Sequence, residues 1–293
     1  MNPIPIQLQD ASRSFRGVPV IKNLTLNVQA GSIYGFLGRN AAGKTTALRM
    51  LAGLIRPDSG TARILDIDPF SMGAAEREWL GYLPERLAIP PRSKVRAVLN
   101  LGRDLYPTWD ASLAESLVGK YGLSVEKRFS TLSQGSQRIL GFIMAIAPRP
   151  KVLLLDEPAA NLDVIARREV LDNILTLIRD CGCTVLMSTH ILGDVERVAD
   201  QVGILANGAL RVSEPLDTLK DSIRQVRFFG FSGALPTAGI PQSFRTVRGK
   251  DEIVMTLRTN SGVTPESLAA RWSCRQETRI LGLEDIFVEL SSN

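Results

Sequence analysis

Residues Gly38–Thr46 read "GRNAAGKTT". Two glycines bracket four residues, and a lysine and two hydroxyls follow, the pattern G-x-x-x-x-G-K-[ST]. Glycines at this spacing let successive backbone N–H groups converge on phosphate oxygens. A helix that starts where the loop ends sets its positive terminus behind them. Lys44 is long enough to reach β- and γ-phosphates, and the Thr45 hydroxyl suits a magnesium ion. Gly38, Arg39, Asn40, Ala41, Ala42, Gly43, Lys44, Thr45 and Thr46 are therefore the expected phosphate-binding residues. The flanks agree. "SIYGFLG" before the loop is a short apolar strand, and "KTTALRMLAGLI" after it reads as a helix with Leu48, Leu51 and Leu54 near one face. Alone, the loop leaves kinase, GTPase and ATPase open.

Further along, "VLLLDEP" (Val152 to Pro158) is a continuous apolar run that ends in two acids. A carboxylate at the end of a buried strand is costly without a partner. Magnesium is a natural partner for Asp156. Glu157 points elsewhere and is placed to polarise a water for attack on the γ-phosphate. "TVLMSTH" is a second buried run, and it ends in His190, the one histidine of the chain. The carboxyl end of a central strand is where α/β sheets bind ligands, so His190 is expected to face phosphate.

The other segments fill in the architecture. "IQLQDASRSF" and "VIKNLTLNVQAG" alternate as strands, and "PDSGTARILDID" is a turn and another strand. From about Arg77 to Ala147 the pattern is helical. "VIARREVLDNILTLIRDCG" is amphipathic, with Leu171, Ile174, Leu175 and Ile178 at helical spacing. "VGILANGALRVS" reads as a hairpin around Asn207-Gly208. Strand, glycine loop, helix, then apolar strands separated by helices define an α/β domain with a parallel sheet. That domain is expected over residues 1–221. After Ser222 come shorter strands and Gly/Pro-rich turns ("GFSGALPTAGIPQ"), read as a small α+β domain over 222–293.

Composition narrows the class. At 293 residues, 44% hydrophobic and 22% charged, the chain has the make-up of a globular protein with a sizeable core. The apolar run Ile139 to Ala147 falls short of the roughly 20 residues that cross a bilayer. "MNPIPIQLQD" lacks a secretory signal, so a cytoplasmic location is expected. Three cysteines with one histidine argue against both a disulfide framework and a zinc cluster, leaving buried reduced thiols. A net charge of +5 is mild and dispersed, and no nucleic acid partner is expected.

Taken together these stretches resemble the ATP-binding cassette (ABC) ATPases over about residues 5 to 220. "GRNAAGKTT" is similar to that family's phosphate loop, and "GYLPE" stands where the family senses its transmembrane partner. "LSQGS" stands where the family has LSGGQ. "LLLDEP", "NLD" and "STH" follow in the family's order. The resemblance implies an antiparallel β subdomain and a helical subdomain (about 77–147) beside the P-loop core. It also implies roles: Phe15 stacks on adenine; Glu85, with Thr45 and Asp156, meets Mg²⁺; Glu157 is the catalytic base and His190 the switch histidine, acting with Lys44. Ser133 and Gly135 contact the ATP of a second subunit, and Asp163 lies at the dimer interface. Arg39 and Ala41 replace the usual proline or serine and glycine, Gln134 and Ser136 alter the signature, and Glu85 stands where glutamine is usual.

"LYPTWD" and the C-terminal "LEDIFVEL" resemble segments of exporter-type members of the ABC-2 class. The expectation is therefore an ATP-hydrolysing subunit with ATP and Mg²⁺ as cofactors. It would pair with a second copy, sit on the inner face of the cell membrane and energise a separate permease. Two rivals differ from it: a soluble ABC ATPase acting on nucleic acid or ribosomes, and an ATP-binding regulatory module without turnover.

Overall fold

A computed structural model describes residues 4–232, 243–259 and 264–291. The chain divides into two compact units, Met1–Leu210 and Arg211–Asn293.

The first unit begins with β1 (Ile6–Phe15) and β2 (Val18–Val28), which pair antiparallel and form a three-stranded sheet with β4 (Ser59–Ile64) in the order β2-β1-β4. Between them run β3 (Ile33–Gly38), the glycine loop and helix α1 (Lys44–Leu51). There follow α2 (Ala74–Arg77), β5 (Leu80–Leu83), α3 (Val95–Leu105), α4 (Ala111–Lys120), a 3-10 turn at Phe129–Thr131 and α5 (Gln134–Ile146). The unit continues with β6 (Val152–Asp156), α6 (Val164–Cys181), β7 (Thr184–Thr189), α7 (Leu192–Val198) and β8 (Gln201–Ala206). The two-residue turn Asn207-Gly208, at φ 53° and 80°, leads from β8 into β9 (Ala209–Pro215).

A six-stranded sheet has the order β5-β6-β7-β3-β8-β9, and the pairs among β5, β6, β7, β3 and β8 are parallel. Every residue of β3, β6 and β7 is buried, which is why these strands read as continuous apolar runs rather than alternating ones. The register sets Asp156 beside Ser188 and Leu37 beside Thr189. The carboxyl ends of β5, β6, β7 and β3 consequently share one edge.

Some local expectations change. Within the stretch read as helical, Leu80–Leu83 is strand β5; four residues carry too little periodicity to declare themselves. Leu54 lies past the end of α1 and is 59% exposed. On α6 the inward stripe is Val170, Leu171, Ile174 and Leu177, while Leu175 faces out, because the face that packs is centred one position away from the one read. The left-handed Gly182 ends α6, so Cys181 is left exposed and only Cys183 is buried; burial pushes the Cys183 thiol up to about 12.

The second unit holds α8 (Leu216–Ser222), β10 (Ile223–Phe229), β11 (Arg245–Arg248), β12 (Glu252–Arg258), α9 (Pro265–Arg271), β13 (Arg275–Ile280) and α10 (Leu283–Ser291). Its strands form an antiparallel sheet ordered β11-β12-β10-β13 over a core of Val226, Phe228, Ile253, Met255, Leu257 and Leu268. "LEDIFVEL" falls on α10, with Leu283, Ile286 and Leu290 inward. The "GALPTAGIPQ" turns lie outside the described residues.

Candidate active site

The glycine loop leaves β3 at Gly38 and turns into α1 at Gly43, whose φ is 111°. That backbone conformation requires glycine there, and a Cβ would also crowd the Val20 carbonyl at 3.0 Å. Ala41 lies at φ 64°, a left-handed conformation that costs a side-chain-bearing residue ~1 kcal/mol. The substitution read from the sequence thus leaves strain in the loop.

Residues Arg39 to Thr46 line a cleft of about 800 Å³ together with Glu85, Arg138, Asp156, Glu157 and His190. Lys44 is 7% exposed, and its Nζ donates to the Gly38 carbonyl at 2.6 Å. It also lies 3.8 Å from Glu157 Oε1. Burial pulls the Lys44 pKa below its ordinary value, and the nearby carboxylates of Glu157, Asp156 and Glu85 oppose that shift.

Asp156 is 1% exposed. Its Oδ1 accepts a hydrogen bond from Ser188 Oγ at 2.5 Å, while its Oδ2 is buried without a partner. Glu157 follows at φ 54°, so the chain turns sharply at the end of β6. Its Oε1 lies 2.9 Å from His190 Nδ1, and its Oε2 is also buried without a partner. The His190 side chain is 51% exposed, as suits a cleft-wall residue rather than a core one. Glu85, on the loop after β5, is exposed toward the same cleft.

Buried orphan carboxylate oxygens call for a compensating group. Among the described residues no cluster of three or more His, Cys, Asp or Glu side chains would hold a metal alone. The arrangement fits a hard cation held by one or two oxygens here and by a substrate's phosphates, the habit of magnesium.

Not every expected residue gathers here. Ser133, Gly135 and Asp163 line a second cleft of about 560 Å³ with Tyr121, Leu162 and Ala166, which adjoins the first at Gln134 and Asn161. Ser133 caps α5 through the Ser136 N–H, and Asp163 caps α6 through the Ile165 and Ala166 N–H groups. Phe15 does not line the large cleft; it is 42% exposed, with the Arg13 guanidinium 5.0 Å from its ring centroid. Two site residues escaped the sequence reading. Ser188 is one, legible only once the β6–β7 register is known. Arg138 is the other; its signal was that it shares a helical stripe with Phe142 and Ala145 of the apolar run that begins at Ile139.

Fold and site together define a P-loop ATP-binding domain. The family model "ABC transporter" matches residues 21–160. The bacitracin transport ATP-binding protein BcrA of Bacillus licheniformis is 32% identical over 78% of this chain and 75% of its own. The ABC transporter ATP-binding protein YtrB of Bacillus subtilis (strain 168) is 29% identical over 76% of each. A solved structure described as the ATP binding subunit of an ABC transporter superposes with a TM-score of 0.68 at 24% identity, over 74% of this chain and 92% of that one. The chain belongs to the ABC transporter ATP-binding proteins: it is an ATPase subunit that binds ATP and hydrolyses it to drive transport. Among the described residues no helix is long and apolar enough to cross a membrane.

Proposed function

We propose that this chain energises export through a separate membrane permease, hydrolysing ATP in the large cleft while paired head to tail with a second copy. Gly38 to Thr46 would hold the phosphates, with Lys44 moving from the Gly38 carbonyl onto the β- and γ-oxygens. Thr45 and Asp156, with Glu85 nearby, would hold Mg²⁺, which when bound supplies charge neutralisation at the phosphates. Glu157 takes the proton of the attacking water, and His190 orients the Glu157 carboxylate and the γ-phosphate. Phe15 offers an exposed ring for adenine.

The observation that carries this reading is the Lys44–Glu157–His190 chain of contacts beside the orphan oxygens of Asp156 and Glu157. The second cleft supports the paired arrangement, since Ser133, Gly135 and Asp163 line it and not the cleft that holds the phosphate loop of their own chain. On α3, Leu101 and Leu105 are 54% and 60% exposed and lie one helical turn apart, a surface suited to a cytoplasmic segment of the permease. Trp109, by contrast, packs against Gly102. Location at the inner membrane face follows from that partner. The experiment is Lys44→Ala: ATP binding by equilibrium titration should fall below detection. Affinity close to wild type would reject the phosphate-loop assignment.

A further inference from the structure

Arg138 is a buried cation that the chemistry above leaves unused. It lies on α5 and is 5% exposed. Its hydrogen bonds all run to main-chain carbonyls. Nη1 donates to Pro84 at 2.5 Å and to Glu85 at 3.2 Å, Nη2 donates to Asp156, and Nε donates to Pro158 at 3.4 Å. The first two acceptors belong to the loop that leaves β5, and the other two to the last residue of β6 and the loop that follows it. A guanidinium is planar and presents its donors in fixed directions, so these bonds set the two loops against each other and against α5. Burial brings its pKa down to about 10 against the pull of Asp156, Glu157 and Glu85, so it stays a cation at neutral pH. A charge satisfied only by neutral carbonyls is an expensive way to fill a core position that an apolar side chain would fill more cheaply.

We propose that Arg138 is a positioning residue of the ATPase reaction: through these carbonyls it keeps Glu85 and the Asp156–Glu157 turn in one register with α5. The first turn of that helix carries Gly135, with Ser133 as its cap. A displacement of α5 driven from the second cleft would then be passed directly to both acidic loops. The proposal rests on the hydrolytic reading of Glu157.

Full-length wild type, Arg138→Lys and Arg138→Met are compared by thermal melting, by equilibrium binding of trinitrophenyl-ATP and by steady-state ATPase across ATP and Mg²⁺ concentrations. Both variants should melt cooperatively and keep their nucleotide affinity. With two acidic loops out of register, kcat should fall about 100-fold while KM for ATP stays level. The Mg²⁺ concentration for half-maximal turnover should rise. Lysine keeps the charge without the fork, so R138K should be as impaired as R138M. Full recovery in R138K, or unchanged turnover per folded chain in either variant, would overturn the proposal. Loss of cooperative melting in both would make Arg138 a folding residue and overturn it too. Absence of turnover in the wild-type chain would instead sink the hydrolytic reading, and that shows before any variant is compared.

Discussion

Glu157→Gln separates binding from chemistry at a site where both effects can be sized. Lys44 Nζ stands 3.8 Å from the Glu157 carboxylate, and both side chains are about nine-tenths covered. At an effective dielectric of about 20 that pair attracts by ~4 kcal/mol gross. Most of this is cancelled by the cost of keeping both charges out of water. What remains opposes ATP twice, since it holds the lysine away from phosphate and leaves a negative charge facing a polyanion. Removing the charge should tighten ATP binding by ~1 kcal/mol, about fivefold in Kd. Losing the proton acceptor should slow phosphate release by 10²- to 10⁴-fold, to order of magnitude. Glutamine has the same shape and tolerates φ 54° no worse than glutamate, so the melt should hold. The assay is a titration with a fluorescent ATP analogue in Mg²⁺, followed by single-turnover phosphate release and light scattering for a persistent dimer. Weaker binding together with intact turnover would refute the reasoning.

His190→Ala should cut turnover by roughly tenfold or more, with little change in melting temperature, because half of the side chain already meets solvent; a large melting loss with activity tracking the folded fraction would mark a structural histidine instead. Asp110 caps α4 through the Leu113 N–H and takes two bonds from Arg149, which together hold its carboxyl below the ordinary 3.8. Asp110→Ala should therefore cost about 2 kcal/mol near neutral pH, read by urea melts. Because the folded pKa is the lower one, that stabilisation is complete above 3.8 and disappears as pH falls through the folded value, so mutant and wild type should converge on acidification; a gap independent of pH would contradict the assignment.

What the sequence made legible follows from the length scale of each signal. β3, β6 and β7 stood out because strands buried on both faces are apolar throughout, and their carboxyl ends named the cleft residues before any geometry was known. β5 was hidden by its brevity. Arg138 was hidden by its charge, since a basic residue on an amphipathic helix reads as solvent-facing and only the packed neighbours Phe142 and Ala145 say otherwise. Ser188 required the pairing of two strands, and pairing is a non-local fact. The strain at Ala41 and Glu157 is likewise invisible in residue identity alone, because φ above zero is set by the loop that closes around it.

The two clefts of the first unit carry a kinetic consequence. In the head-to-tail pairing proposed above, a chain with its phosphate loop in one cleft and Ser133, Gly135 and Asp163 in the other would own half of each of two reaction centres and the whole of none. Its turnover in dilute solution should then follow a second-order law, with rate per chain rising with chain concentration until association saturates. Two defective variants, one lacking Lys44 and the other altered at Ser133, should complement when mixed. In the mixed pair the intact halves meet at one interface only, so the recovered activity is bounded by a single working centre.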